Sequence, residues 1–323
     1  LKETFMTTHK ITWLLFHEPI DLFLRTAAAF SKKIAEETNN RISVEVYTTK
    51  EYADKFNNGL DFDPLTLIEQ GSVQMSQLPV NQLGKWGVMD FFALDMPYLF
   101  RDHDHCARVL EGTIGEKLLT DLEQKTPVRG LSFTYSGGYR LMAADKQIDT
   151  TAQLTGMNML VSTNPVTADT ARAFGCNPIV TPRRRGPDNC ADSINASNLV
   201  ETTLPRYKNE TNPCIHKFVT NTKHSMYLTS IVISSHFWNS LSTQDQESMK
   251  KVAMQCAALE RQWTLEDAEA IATDPAQQEK LGISSYKEFA DEEVAKLTQM
   301  VQPLYHKYED IFTSGLLGSI KVT

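Results

Sequence analysis

A two-lobed α/β fold is the architecture this sequence predicts, and three observations carry it. Strand-like and helix-like segments alternate from Ile11 to Leu78, the pattern of parallel sheets with helices on both faces. The alternation starts again at Arg129. At 323 residues the chain can bury more than one core, yet no Gly/Ser-rich or low-complexity tract offers a flexible linker. Lobes without such a linker must be joined by ordered strands or by a shared helix.

Taken in order, Ile11 to Phe16 is a short apolar run and the first predicted strand. Ile20 to Glu37 carries apolar residues at helical spacing and ends near Asn39-Asn40. Ile42 to Tyr47 alternates and is β-branched, a strand. Pro64 to Gln70 is a helix that Gly71 terminates, and Val73 to Leu78 is the next strand. Asp95-Met96-Pro97-Tyr98-Leu99-Phe100 is an apolar run that stops and turns. Pro97 fixes its own φ and biases Met96 toward extended backbone. Asp102 or Asp104 can cap a helix that begins near His105.

Arg129 to Tyr135 and Met157 to Val161 are strands, and Val166 to Phe174 is a helix closed by Gly175. Ile231 to Ser234 is a short strand. Ser242, with Asp245 three residues on, opens a long helix in a near capping box. It continues past Trp263 to about Ile271, and Pro275 marks its end. At about 1.5 Å per residue, this helix is long enough to span two lobes. A last helix is predicted from about Tyr286 to Tyr308, kinked by Pro303.

Composition narrows the function. Hydrophobic residues make up 41% and charged residues 22%, as in soluble globular proteins. A net charge of −8 argues against a nucleic-acid partner, which needs a basic face. The only basic run, Arg183-Arg184-Arg185, is too short for a nucleic-acid arm. No apolar stretch reaches the roughly 18 residues of a transmembrane helix. Leu1-Lys2-Glu3 carries no signal-peptide pattern, which leaves a cytosolic chain or a numbering that starts after processing. The cysteines are Cys106, Cys176, Cys190, Cys214 and Cys256, and none forms a C-x-x-C pair. They read as buried thiols, or with Cys190 and Cys214 bridged in an oxidising periplasm.

Catalytic signatures are absent. There is no G-x-S-x-G elbow, no H-E-x-x-H and no P-loop lysine. Gly137-Gly138 lacks the spacing of a dinucleotide fingerprint. His103-Asp104-His105-Cys106 holds ligand-type residues, but neighbours in sequence rarely converge on one metal, so a turn and helix cap is the better reading. His17-Glu18 is either an acid/base pair or a polar pair at a strand end lining a cleft. No enzyme activity, metal or organic cofactor is expected, although calcium or sodium bound by oxygens leaves little sequence trace.

Seven segments, in order, resemble the substrate-binding proteins of TRAP transporters, the DctP-type family. Ala27 to Phe30 with Lys33, Glu37 and Arg41 to Tyr47 is similar to "A-x-x-F-A-K … G-R-I-x-V-E-V-Y". Gly71-Ser72-Val73-Gln74-Met75 is similar to "G-x-V-D-M", and Asp95 to Phe100 with His103 or His105 to "D-x-P-F-L-F … H". Ser136 to Arg140 resembles "G-x-R", and Leu154 to Met157 resembles the start of "L-x-G-x-K-I-R". Phe174 to Pro178 resembles "G-A-N-P", and Asn221 to Ser225 resembles "T-x-H". The resemblance implies a periplasmic-binding-protein clamshell whose lobes close on a ligand. It further implies capture of a small organic anion in the periplasm, delivery to a sodium-driven membrane permease, and a monomer. Lobe one is expected to hold about 1–137 plus 226–266, and lobe two 138–225 plus 267–323.

The chain departs from the family pattern where that pattern holds a ligand carboxylate. The arginine of "K-I-R", whose planar fork suits a carboxylate, aligns with Leu160. Leu160 is then either a cleft residue or a core residue worth about 1.5–3 kcal/mol by burial. The arginine of "G-x-R" is kept as Arg140, past Gly137-Gly138, where bare backbone lets a ligand approach. Arg185 falls near a family glutamate: either it supplies the charge Leu160 lacks, or the arginine run is a solvated loop. The remaining candidates are Asn195 and Asn198, which align with acidic cleft positions, Tyr139 as a cleft aromatic or core residue, and Asn81 and Gln82 after the third strand. A ligand-binding sensor domain is the alternative, and an enzyme on the same architecture a weaker one.

Overall fold

The computed structural model describes residues 8–16, 20–56, 63–181 and 191–323. Its strands are β1 (His9–Leu15), β2 (Ile42–Thr48), β3 (Met75–Pro79), β4 (Val128–Tyr139), β5 (Leu141–Ala144), β6 (Asn158–Val161), β7 (Asn177–Val180), β8 (Leu199–Thr202), β9 (Phe218–Asn221), β10 (Met226–Ser234) and β11 (Ser285–Glu288). They form a five-stranded sheet, β2-β1-β3-β10-β4, and a six-stranded sheet, β11-β9-β5-β8-β6-β7.

The chain divides into two compact units. Unit one comprises Leu1–Pro79, Gly115–Thr134 and Thr229–Trp263. In its sheet β1 pairs in parallel with β2 and β3, and β10 runs antiparallel to β3. Helix Ile20–Glu37 covers one face. Phe23, Ala27, Phe30 and Ile34 recur at helical spacing and pack on Ile11, Trp13 and Leu15. Trp13 and Phe30 meet edge to face at 5.2 Å. Met249, Val252, Ala253 and Cys256 of helix Thr243–Thr273 complete this core.

Unit two comprises Val80–Ile114, Tyr135–Leu228 and Thr264–Thr323. Its sheet mixes parallel pairs (β6 with β7 and β8, β11 with β9) with antiparallel ones (β5 with β8 and β9). Leu141, Ala143, Tyr207, Val219 and Ile283 form an apolar cluster on it. Residues 80–114, expected in the first lobe, cluster here instead. The cause is visible in the bonds of the 95–100 turn. Tyr98 donates its backbone N–H to His224 O at 2.6 Å, and Pro97 O accepts from the Tyr305 hydroxyl at 2.7 Å. Three ordered elements, β4, β10 and helix Thr243–Thr273, carry the chain across the unit boundary.

The long helix runs 31 residues, Thr243–Thr273, with Ser242 Oγ accepting from Asp245 N at 3.1 Å. Pro275 opens a separate helix, Pro275–Leu281. The predicted kinked helix from Tyr286 to Tyr308 is instead β11 followed by helices Asp291–Met300 and Gln302–Glu309. Pro303 sits in the first turn of the latter, where its missing N–H costs nothing. Asp102 caps helix His103–Glu111, accepting from His105 N at 2.7 Å.

Candidate functional site

Arg140 follows β4 and is 3% exposed. Its guanidinium already has partners. Nη2 donates to Asp95 at 2.9 Å, Nη1 lies 3.4 Å from Glu201, and the cation stacks over the Tyr227 ring at 4.3 Å. Asp95 ends the 3-10 turn Met89–Asp95, and its second oxygen accepts from Asn164 Nδ2 at 2.6 Å. Glu201, on β8, accepts from His224 Nε2 at 3.1 Å, and Nδ1 of the same ring pairs with Thr222 Oγ1 at 2.7 Å.

A second guanidinium completes the cluster. Arg206 donates Nε to Glu210 at 2.9 Å and Nη1 to Ser136 at 2.8 Å, and it also stacks on Tyr227, at 4.4 Å. Arg140, Asp95, Glu201, Arg206, Glu210 and His224 are all buried. So many charges can be kept dry because each acid faces a cation or a hydrogen-bond donor. Burial, with some help from the Glu201 charge, pushes the Asp95 carboxyl above the usual range in spite of Arg140 and Asn164. For Arg140 burial disfavours the cation, but Glu201 and Asp95 outweigh it and hold the charge.

Local geometry explains why this sequence builds the cluster. Tyr98 has φ +58°, unusual for a bulky residue, and its hydroxyl donates to Thr222 O at 3.2 Å. The turn is thus stapled to the connection between β9 and β10 that bears His224, which brings Asp95 to Arg140. Gly137 has φ +98°, and a Cβ there would sit 1.9 Å from Thr203 Oγ1. The space beside this glycine is filled by Thr203, not left open for a ligand as the sequence suggested.

Among the described residues, none of the other sequence candidates is bonded to the Arg140 guanidinium, whose partners are Asp95, Glu201 and Tyr227. Leu160 is 1% exposed on β6, opposite Ile179 and Val200 on the flanking strands. Asn198 donates to Asp145 at 2.9 Å and accepts from Asn158 N at 3.2 Å, which ties strand ends together. Asn195 is exposed and accepts from Asn212 at 2.9 Å. Tyr139 is half-buried with its ring 4.7 Å from His103, and burial pushes its hydroxyl up to about 12. Asn81 and Gln82 lie in helix Val80–Lys85, not in a loop. His17, Glu18, Arg185 and Cys190 lie outside the described residues, while Cys214 is an exposed free thiol.

Sequence reasoning missed Asp95, Glu201, Asn164, Arg206, Glu210 and Tyr227 as members of this cluster. Glu201 had a signal: an acid inside the apolar run Leu199-Val200-Glu201-Thr202 needs a buried partner. Among the described residues no group of three or more His, Cys, Asp or Glu could hold a metal ion. No described helix is long and apolar enough to cross a membrane.

A family model described as bacterial extracellular solute-binding protein, family 7, matches residues 17–185 and 193–311. The C4-dicarboxylate-binding periplasmic protein DctP of Rhodobacter capsulatus is 22% identical over 303 residues, covering 91% of this chain and 85% of that protein. A TRAP periplasmic solute-binding protein from Polaromonas sp. JS666, bound to D-erythronate, superposes with TM-score 0.80 at 21% identity, covering 98% of this chain and 99% of the other. One from Xanthobacter autotrophicus Py2, with bound β-D-galacturonate, gives TM-score 0.76 at 21% identity, covering 97% and 99%.

Proposed function

Because the chain belongs to the bacterial extracellular solute-binding proteins of family 7, we propose that it captures a small organic anion in the periplasm and delivers it to a TRAP-type permease. The relatives above, which bind a C4-dicarboxylate, D-erythronate and β-D-galacturonate, support this ligand class. The observation that carries the reading within this chain is the buried Arg140 guanidinium. Its Nε has no hydrogen-bond acceptor among the described residues, so the group keeps a donor for a ligand oxygen.

Asp95 and Glu201 fix that guanidinium in orientation, and a fixed fork loses little entropy when an anion arrives. Because both partners are acids, an incoming anion meets a neutralised cation. Recognition in this chain therefore leans on hydrogen-bond geometry more than on net charge. The other arginine of the family pattern is absent here, its place taken by Leu160 packed between strands, which favours a ligand with a single carboxylate or sulfonate over a dicarboxylate.

A thermal-shift panel of aldonates, uronates, dicarboxylates and sulfonates tests the reading. A ligand at about 100 times its dissociation constant adds about 2.7 kcal/mol of stability. A clear rise in Tm is expected for at least one monoanion, and no response to any acid on the panel would refute the assignment.

A further inference from the structure

Unit two holds a cavity of ≈ 460 Å³ between helix Pro165–Ala173, the end of β7, Met89 and the segment from Lys307 to Ile311. That size is within the range of small-molecule sites, about 300–1,000 Å³. Asn164, Ala168 and Tyr308, all buried, line it. Met89, Val180 and Ile311 line it too and are 41%, 48% and 44% exposed. Single exposed apolar residues are ordinary; here three converge on one cavity and give it apolar walls.

Two cations and one acid also line this cavity. Asp169 accepts from Arg172 at 2.9 Å, from the Tyr308 hydroxyl at 2.8 Å, and from Lys307. Its side chain is 13% exposed, whereas Arg172 and Lys307 are 59% and 53% exposed. Two solvated cations thus stand over one covered carboxylate, a local surplus of positive charge on a chain of net charge −8. Apolar walls next to two cations that share one carboxylate suit a ligand with an alkyl body and one anionic head.

We propose that this cavity, which adjoins the Arg140 cluster through Asn164, is a second ligand site that takes amphipathic monocarboxylates. The alkyl chain lies against Met89, Val180 and Ile311, and the carboxylate lies between Lys307 and Arg172. Nothing in this proposal depends on which solute the Arg140 cluster takes.

Octanoate is the probe, titrated calorimetrically into the full chain. Saturable binding to one site is expected, at least tenfold tighter than acetate, which lacks the chain, and than octylammonium, which lacks the negative head. The pair Lys307→Gln and Arg172→Gln alters only exposed side chains, and circular dichroism confirms that the variant is folded. This double variant is expected to bind octanoate at least tenfold more weakly, about 1.4 kcal/mol, and Val180→Asp is expected to weaken it similarly. A diazirine analogue of octanoate should label peptides containing Met89, residues 165–172, Val180 or residues 307–311. Absence of saturable binding overturns the proposal, as does unchanged affinity in the charge-neutralised variant. Labelling of peptides around Tyr227 and Glu201 instead would place octanoate in the Arg140 cluster and overturn it equally, while leaving the solute-binding reading intact.

Discussion

Two buried side chains decide most of what single substitutions can show. Arg140 balances Asp95 and Glu201, so Arg140→Ala strands two acids away from water. Breaking a buried pair in this way costs roughly 3–5 kcal/mol, and urea denaturation should show a loss of that size. Arg140→Lys keeps the charge but not the fork. It should stay folded and bind the best ligand of the panel at least tenfold more weakly by calorimetry, and unchanged affinity would remove Arg140 from the site. Glu260 makes a different test, within unit one. Gln77 Nε2 bonds both of its oxygens, at 2.8 and 2.9 Å, and burial pushes its carboxyl up to about 8. The unfolded chain releases that proton near the ordinary glutamate value, whereas the native state keeps it until about pH 8. Between those values the native state binds more protons, so stability falls as pH rises through that window and levels off above it. Glu260→Gln should flatten the slope of denaturant stability between pH 5 and pH 8, and an unaltered slope would mean that Glu260 is not its source. The sequence held Arg140 in view through a short motif. Glu260 was invisible, because one acid in a long, mostly polar helix looks like any solvated position.

Elements were legible where a local signal fixes them and illegible where pairing does. Helix Ile20–Glu37, the Asp102 cap and the Ser242 start follow from spacing and capping chemistry alone. The short strands β5, β8, β9 and β11, of four residues each, carry no such signal. They exist because a neighbour supplies hydrogen bonds, as when Ala143 lies between Val200 and Val219. Tyr286 to Glu288 read as helical for the same reason: nothing within the segment announces that β9 will pair with it. Caps and tight glycines are therefore the places where local predictions can be checked. Asp102→Ala removes the acceptor for His105 N and should cost about 1 kcal/mol in thermal denaturation. Gly137→Ala meets both a left-handed φ of +98° and Thr203 at 1.9 Å, so it should cost more than the cap variant. If the two variants melt together, the close approach of Thr203 is not what requires glycine at this position.

At the scale of the molecule, the absence of a linker had a consequence that the sequence stated and the chain path now specifies. Division into two units was legible from length and from the repeated alternation. The assignment of residues 80–114 was not, because it depends on Asp95, Pro97 and Tyr98 finding partners more than forty positions away in sequence. Proteins with two units commonly unfold in more than one step. Here β4, β10 and the helix Thr243–Thr273 each contribute residues to both units. Melting either unit would strip hydrogen bonds and packing from these elements inside the other, since a helix or strand loses stability when part of it frays. Such shared elements raise the cost of independent unfolding, and native domains persist by only about 5–15 kcal/mol. Scanning calorimetry should accordingly show one transition, with a calorimetric enthalpy close to the van't Hoff value. A saturating organic anion should move that single peak upward without splitting it. Two resolved peaks in the unliganded protein would mean that the shared strands and helix do not couple the units, and that each core stands by itself.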